Sequence, residues 1–445
     1  VGEEEHMTTF TRRRFLRTAG AAALGAGAPL LPQRTARSAQ SKWEPEKGAT
    51  LRLLRWKRFV QGDEDQFLAN TRRFTELTGV PVVVDSENFE EVRPKAAVAA
   101  NVGAGPDIVI ATNEDHLQYP GQLIDLTDVV EYLGHKYGGW YDICREYGMH
   151  EGKWVALPTG AAGGAWLYRK SMIHAAGFDA LPQDFPGILK LCQALKARGT
   201  PAGLALGHAT GDANGWTHWA LWGFGGKLAD EHNNVAINSK ETIAALEYAK
   251  ELYQTFIPGT VSWLDPSNNK AFLAGEIALT INGISIYYSA KTSPDPKLST
   301  MAADMQHAYD PIGPIGKRAN GGLMFPAFVF KHSKYPNAAK DYLRFMMEKE
   351  QYEPWQAACI GYVAHPLRAY ESNPVWSADP QHVFFRDVVK TMRPLGYAGE
   401  LGRASAATAA DFVVVDMFAE VCTGAQTPKE AALRAEKRAL RNYKT

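Results

Sequence analysis

Among the side chains that could do chemistry, His208, Asp212 and His218 come closest to a constellation. A zinc-type ion needs three or four donors converging on one point, which on a helix means histidines four apart. The two histidines are ten apart with no third ligand near them, so they read as solvated or hydrogen-bonded side chains. Acid/base catalysis asks for two carboxylates in different surroundings on either side of a reacting bond. Glu90-Glu91 and Glu114-Asp115 are merely adjacent, a spacing that suits helix caps and solvated faces. The chain has no Gly-x-Ser-x-Gly elbow, no His-Glu-x-x-His, no Gly-x-x-x-x-Gly-Lys-Ser/Thr loop and no Gly-x-Gly-x-x-Gly after a strand. Residues 313–318 (GPIGKR) imitate a phosphate loop but place Pro314 where a backbone N–H must face the anion. Cys144, Cys192, Cys359 and Cys422 are widely spaced, which excludes a Cys-x-x-Cys redox or zinc motif and leaves buried thiols, or one disulfide in an oxidising compartment. These residues predict no metal, no cofactor and no catalytic machinery.

What must position any site is an alternation of strands and helices. Residues 50–56 (TLRLLRW) alternate as a strand does, residues 62–76 set Phe67, Thr71 and Phe74 at helical spacing, and residues 80–84 (VPVVV) resume extended structure. Thr78-Gly79 stops the helix between them. Such a unit implies a parallel strand pair with a right-handed crossover. A helix over 92–101 and an apolar strand over 106–110 complete an α/β lobe whose sheet is covered on both faces. Strands are expected over 153–158, 165–168 and 277–281, and helices over 184–198, 214–224 and 239–256. The far end is more helical, with helices expected over 337–348, 381–392 and 427–442.

The 445 residues carry 48 basic and 48 acidic side chains and are 45% hydrophobic, too apolar for disorder and too long for one core. Bases and acids are interleaved, which argues against a nucleic-acid partner. The zero net charge conceals an asymmetry: residues 1–39 hold six arginines and three glutamates, leaving 42 bases and 45 acids in the rest. There Thr11-Arg12-Arg13-Arg14-Phe15-Leu16 precedes a short Ala/Gly-rich apolar stretch and a small-residue exit near Ala39, the pattern of a twin-arginine export signal. That stretch is shorter than the roughly 20 strongly apolar residues a membrane-spanning helix needs. Glu3, Glu4 and Glu5 suit such a signal badly, so Met7 is the expected natural start.

Five segments in order resemble one family, the periplasmic solute-binding proteins of carbohydrate-uptake ABC transporters, maltose-binding type. They are 74–82 (FTELTGVPV); 103–109 (GAGPDIV) with 121–127 (GQLIDLT); and 151–158 (EGKWVALP) with 167–170 (LYRK) and 176–178 (AGF). The fourth is 271–283 (AFLAGEIALTING), the most characteristic block. The fifth runs through 311–316 (PIGPIG), 320–322 (NGG), 333–339 (SKYPNAA) and Gly361-Tyr362.

The resemblance implies an α/β fold of two lobes, each a mainly parallel sheet flanked by helices, with a hinge between them and a helical C-terminal region. Mapped through the blocks, 48–158 with 312–355 form one lobe and 159–311 with 356–445 the other, crossing near 158–160, 309–312 and 358–361. It implies a small-molecule ligand between the lobes, ABC permease subunits as partners, no enzyme activity, and a periplasmic monomer. Ligand contacts are implied at Trp56, Lys57 and Arg58 after the first strand, and at Asn113, Glu114 and Asp115 after the strand starting at Asp107. Others are implied at Trp216, Trp219 and Trp222 on the aromatic helix, at Trp263, Asp265 and Asn268 before the fourth block, and at Asn282, Gly321, Gly322 and Arg368. The tryptophans at 216, 219 and 222 are three apart, a stripe that equally suits a core.

Two departures from the maltose type stand out. Ile284 to Tyr288 lack the aromatic that such members carry soon after Asn-Gly, and Thr159 to Gly164 lack an acidic residue. Both point to a small sugar, polyol or derivative, and Lys57, Arg58 and Arg368 leave an anionic ligand open. The rival readings are a periplasmic carbohydrate-active enzyme using cleft carboxylates and a periplasmic sensor.

Overall fold

The computed structural model describes residues 42–444; the export signal expected over 1–39 lies outside the described residues. Strand β1 (Leu51–Trp56), helix α1 (Gln61–Thr78), strand β2 (Val82–Glu87), helix α2 (Phe89–Val102) and strand β3 (Ile108–Ile110) follow one another in the expected order. β1 pairs in parallel with both β2 and β3, Leu53 lying opposite Val84 on one side and Ile108 on the other. Gly79 and Gly103 end the two helices with φ of 74° and 68°, left-handed backbone that a Cβ disfavours. Each then donates its N–H to the last turn, at Thr75 and Ala99.

A small hairpin of β4 (Met149–His150) and β5 (Lys153–Trp154) leads into β6 (Leu157–Gly163), and Gly164 alone separates β6 from β7 (Ala165–Arg169). β8 (Leu279–Asn282) and β9 (Met305–Ala308) flank β7 as a second, three-stranded sheet, while β10 (Gly322–Val329) returns to the first, giving the order β2-β1-β3-β10-β6. The mainly parallel arrangement is realised among β1, β2 and β3. It is corrected elsewhere, since β10 runs antiparallel to both β3 and β6 and both ladders on β7 are antiparallel. There parallel contacts survive only as isolated bridges such as Ala202 to Leu279.

Helix α3 (Asp212–Gly223) is buried on nearly every side, and α4 (Asp265–Leu273) precedes β8. At the far end α5 (Val413–Cys422) packs against α3 and against α6 (Pro428–Tyr443), whose start is fixed by a Thr427–Glu430 capping box. The single helix expected over 381–392 is instead two short turns, Val383–Arg386 and Val388–Thr391, because Asp387 between them leaves helical dihedrals.

Two apolar clusters underlie the two-lobed fold. One, around the five-stranded sheet, holds Leu53, Val109, Phe328, Tyr352 and Trp376; the other holds Trp166, Trp216, Trp219, Trp222 and Phe418. The four cysteines are buried and free, so none of the open disulfide pairings forms. Among the described residues no helix is long and apolar enough to cross a membrane.

Candidate functional site

A cleft with about 800 Å³ of space, mouth included, opens at the carboxyl ends of β1 and β3, the edge where open α/β sheets place ligands. Its aromatic wall begins with Trp56, the last residue of β1. The indole stacks on Phe89, the first residue of α2, at 4.0 Å between ring centroids and 19° between planes. Phe59 and Tyr362 meet it edge-on at 5.3 and 6.0 Å. The strand end therefore sets the indole and the helix start covers one of its faces.

The opposite wall is polar. Asp265 at the head of α4 directs Oδ1 to the backbone N–H groups of Gly211 (2.9 Å) and Asp212 (2.8 Å), at the start of α3. One carboxylate thus caps a neighbouring helix whose first N–H groups lack intrahelical partners. Gly211 is needed for this approach, because a Cβ there would lie 2.9 Å from Asp265 Oδ1. The Oδ2 atoms of Asp212 and Asp265 are buried without a hydrogen-bond partner. Burial and the neighbouring Asp265 raise the Asp212 carboxyl far above the usual range, and burial with a contribution from Glu90 raises that of Asp265. Asp310, after β9, is pushed up to about 7 by burial. Asn282 ends β8 with both amide atoms engaged, donating to Asn269 and accepting from Ser285 Oγ at 3.0 Å.

Of the residues implied by the resemblance, the cleft brings together Trp56, Asn113, Asp265, Asn282, Gly321 and Gly322. Asn113, in left-handed backbone at φ 49°, accepts the Met324 N–H at 3.0 Å and so ties β3 to the start of β10. The others stand elsewhere. Lys57 is exposed, and Arg58 is buried, bonded to Asp63 at 2.7 Å and lying over the Phe325 ring. Glu114 is buried with both carboxylate oxygens unpartnered, and Asp115 holds Arg93 at 2.7 Å. Asn268 is spent on Thr280 and the Ile281 carbonyl. Trp263 packs against Gly203, and Arg368 stacks on Tyr141 in a separate groove.

Trp216 and Trp219 lie in the second core, donating to the carbonyls of Ala205 and Pro311, and Trp222 is buried beside them. A helix apolar all round is a core helix, so α3 offers the cleft only its first turn. That turn supplies Asp212, Asn214 and Gly215, which with Phe59, Phe89, Thr210, Asp310 and Tyr362 are cleft residues that the sequence did not imply as ligand contacts. The signal for part of this set was present in Thr210-Gly211-Asp212-Ala213-Asn214-Gly215, a polar and glycine-rich lead into an apolar helix.

A two-lobed α/β protein with an aromatic wall facing buried carboxylates across one cleft is a receptor for a small molecule. The chain belongs to the bacterial extracellular solute-binding protein family, whose model matches residues 70–384. No curated protein matches it by sequence. Among solved structures it is similar to a sugar transporter from Arthrobacter chlorophenolicus with bound laminaribiose, at 17% identity and a TM-score of 0.76 over 88% of this chain and 99% of that one. It is also similar to maltose-bound MalE3 of T. maritima, at 19% identity and a TM-score of 0.75 over 88% and 99% of the two chains. A third is a solute-binding protein of Agrobacterium radiobacter in complex with ribitol, at 18% identity and a TM-score of 0.69 over 88% and 98%.

Proposed function

We propose that this protein captures a small sugar, polyol or related derivative in the cleft and delivers it, unchanged, to the permease of an ABC importer. The observation that carries this reading is the Trp56–Phe89 stack facing the polar set of Asp212, Asp265, Asn282 and Asp310. A carbohydrate has C–H edges that lie on an indole and hydroxyls that need fixed partners. Stacking contributes roughly 0.5–1.5 kcal/mol beyond area, while a buried polar group left unpaired by the wrong epimer costs roughly 1–3 kcal/mol, so the polar wall sets selectivity. Structural neighbours solved with laminaribiose, maltose and ribitol support this ligand class.

The protein works as a monomer in the periplasm, reached through the twin-arginine route by the signal over 1–39. Its lobes interleave in sequence, 48–158 with 312–355 making the first and 159–311 most of the second, although the apolar clusters cross that division, since Phe272, Ile286 and Tyr287 pack with the first. The 356–445 segment divides, because Trp376, Val388 and Met392 pack with the first cluster while Val413 to Ala439 pack with the second. Ligand closes the lobes about their crossings, and the permease reads the closed form.

A thermal-shift screen of sugars, polyols and their derivatives tests the reading. A compound at 100 times its Kd raises stability by about 2.7 kcal/mol. Stabilisation with the compound recovered intact is the expected result, and its conversion to product would make the protein an enzyme.

A further inference from the structure

We propose that the Asp212–Asp265 pair receives a ligand ammonium group, so that the natural ligand is an amine-bearing sugar or polyol; this rests on the carbohydrate reading above. The pair sits on the cleft wall, and Asp265 is only 3% exposed. Each carboxylate keeps one buried oxygen, Oδ2, without a protein partner. The backbone N–H groups of Gly211 and Asp212 serve the other oxygen of Asp265 and leave Oδ2 for a guest.

The surroundings offer the pair no positive charge. Glu90 approaches from α2 with Oε1 also buried and unpartnered, and its field adds to theirs. Tyr362 faces them from the far wall, and Asn268 approaches Asp212 from α4. No lysine or arginine lines the cleft among the described residues. The guanidiniums around the cleft are committed, Arg58 to Asp63, Arg93 to Asp115, and Arg318 to the Asp310 carbonyl and Gln183. Two like buried carboxylates on one cleft wall are stabilised by a cation between them or by taking up protons.

An ammonium fits better than a metal ion, because no group of three or more His, Cys, Asp or Glu among the described residues is placed to hold one. It also presents several N–H donors to oxygens that have none, which a neutral hydroxyl matches only in part. The anionic ligand left open by Lys57, Arg58 and Arg368 is disfavoured by the same wall.

Calorimetric titration with matched probes tests the proposal: glucosamine against glucose, galactosamine against galactose, and 1-amino-1-deoxysorbitol against sorbitol. In at least one pair the amine is expected to bind roughly 10-fold tighter or more at about pH 7.5, with the preference shrinking at about pH 5.5 as Asp265, whose carboxyl burial pushes up to about 7, takes up its proton. In Asp265→Asn the amine-to-neutral ratio should fall toward one, and Asp212→Asn gives the same reading if the first variant does not fold. Neutral members binding as tightly as their amines would overturn the proposal and leave the carbohydrate reading standing. A ratio unchanged in both variants would overturn the assignment to this pair. Binding by no member of any pair would overturn both readings.

Discussion

Asp265 holds the start of α3 by accepting the backbone N–H of Asp212 while its own carboxylate is crowded by that of Asp212. The attraction is local and structural, the repulsion is what a ligand can relieve. Asp265→Ala removes the acceptor for two helix-start N–H groups, and loss of such a cap costs about 0.5–2 kcal/mol. Relief of the buried repulsion offsets part of that cost, so the variant's denaturation midpoint should drop modestly while its ligand affinity drops steeply. Chemical denaturation and calorimetry on the same sample separate the two.

Trp56, 5% exposed, is the proposed stacking surface. Trp56→Ala should weaken ligand binding roughly 10-fold or more, since about 1.4 kcal/mol is a decade in Kd. Trp56→Phe should recover part of the affinity because a ring still meets Phe89. Calorimetric Kd values for the three proteins against one stabilising compound check this order.

Arg58, implied as a ligand contact, belongs to a buried ion cluster instead. Burial raises the carboxyl pKa of Asp63, but the Arg55 and Arg58 guanidiniums overcome this and hold it below the usual range. Asp63→Asn leaves two guanidiniums without their counter-charge, and breaking a buried pair costs about 3–5 kcal/mol. The variant should unfold at markedly lower denaturant with ligand Kd changed no more than a few-fold.

Glu114 and Asp310 each make a contribution to the stability of the ligand-free protein that falls from weakly acid to neutral pH, opposed by His116, His218, His307 and His365, which burial holds at about 4. Glu114 and Asp310 are pushed up to about 7 by burial, from 4.5 and 3.8. Between those values the unfolded chain has released protons that the fold still holds, so this contribution declines as pH rises toward 7. Between about pH 5.5 and about pH 8 the melting temperature of the native protein should therefore fall by a few degrees relative to that of Glu114→Gln. Equal slopes in the two proteins would contradict this account of Glu114.

Much of the fold was legible because local chemistry and tertiary packing agree. Thr78-Gly79 and Val102-Gly103 punctuate two helices where left-handed backbone is needed, and Ile108–Ile110 is apolar throughout because both faces of its sheet are covered. Antiparallel pairing around β7 was not legible, since a short apolar strand carries no mark of its neighbours' direction. In the cleft, Trp56, Asn113 and Asn282 were reachable because each follows or ends a strand, where ligands gather. Trp216 and Trp219 misled because a three-apart stripe has the same period whether it faces ligand or core. Asp212 read as part of a poor metal constellation with His208 and His218. In the structure His208 bonds Asp416 and His218 bonds the Asn214 carbonyl, leaving the aspartate to the cleft. Its pairing with Asp265, 53 residues away, is a product of the fold alone.

The most direct test is a crystal structure with whichever compound most strongly raises the melting temperature. The account predicts one molecule in the cleft, with an apolar edge on the Trp56 ring and a polar group within hydrogen-bond distance of Asp212 or Asp265. A compound seated elsewhere, for example in the separate groove beside Tyr141 and Arg368, with the cleft empty, would contradict it.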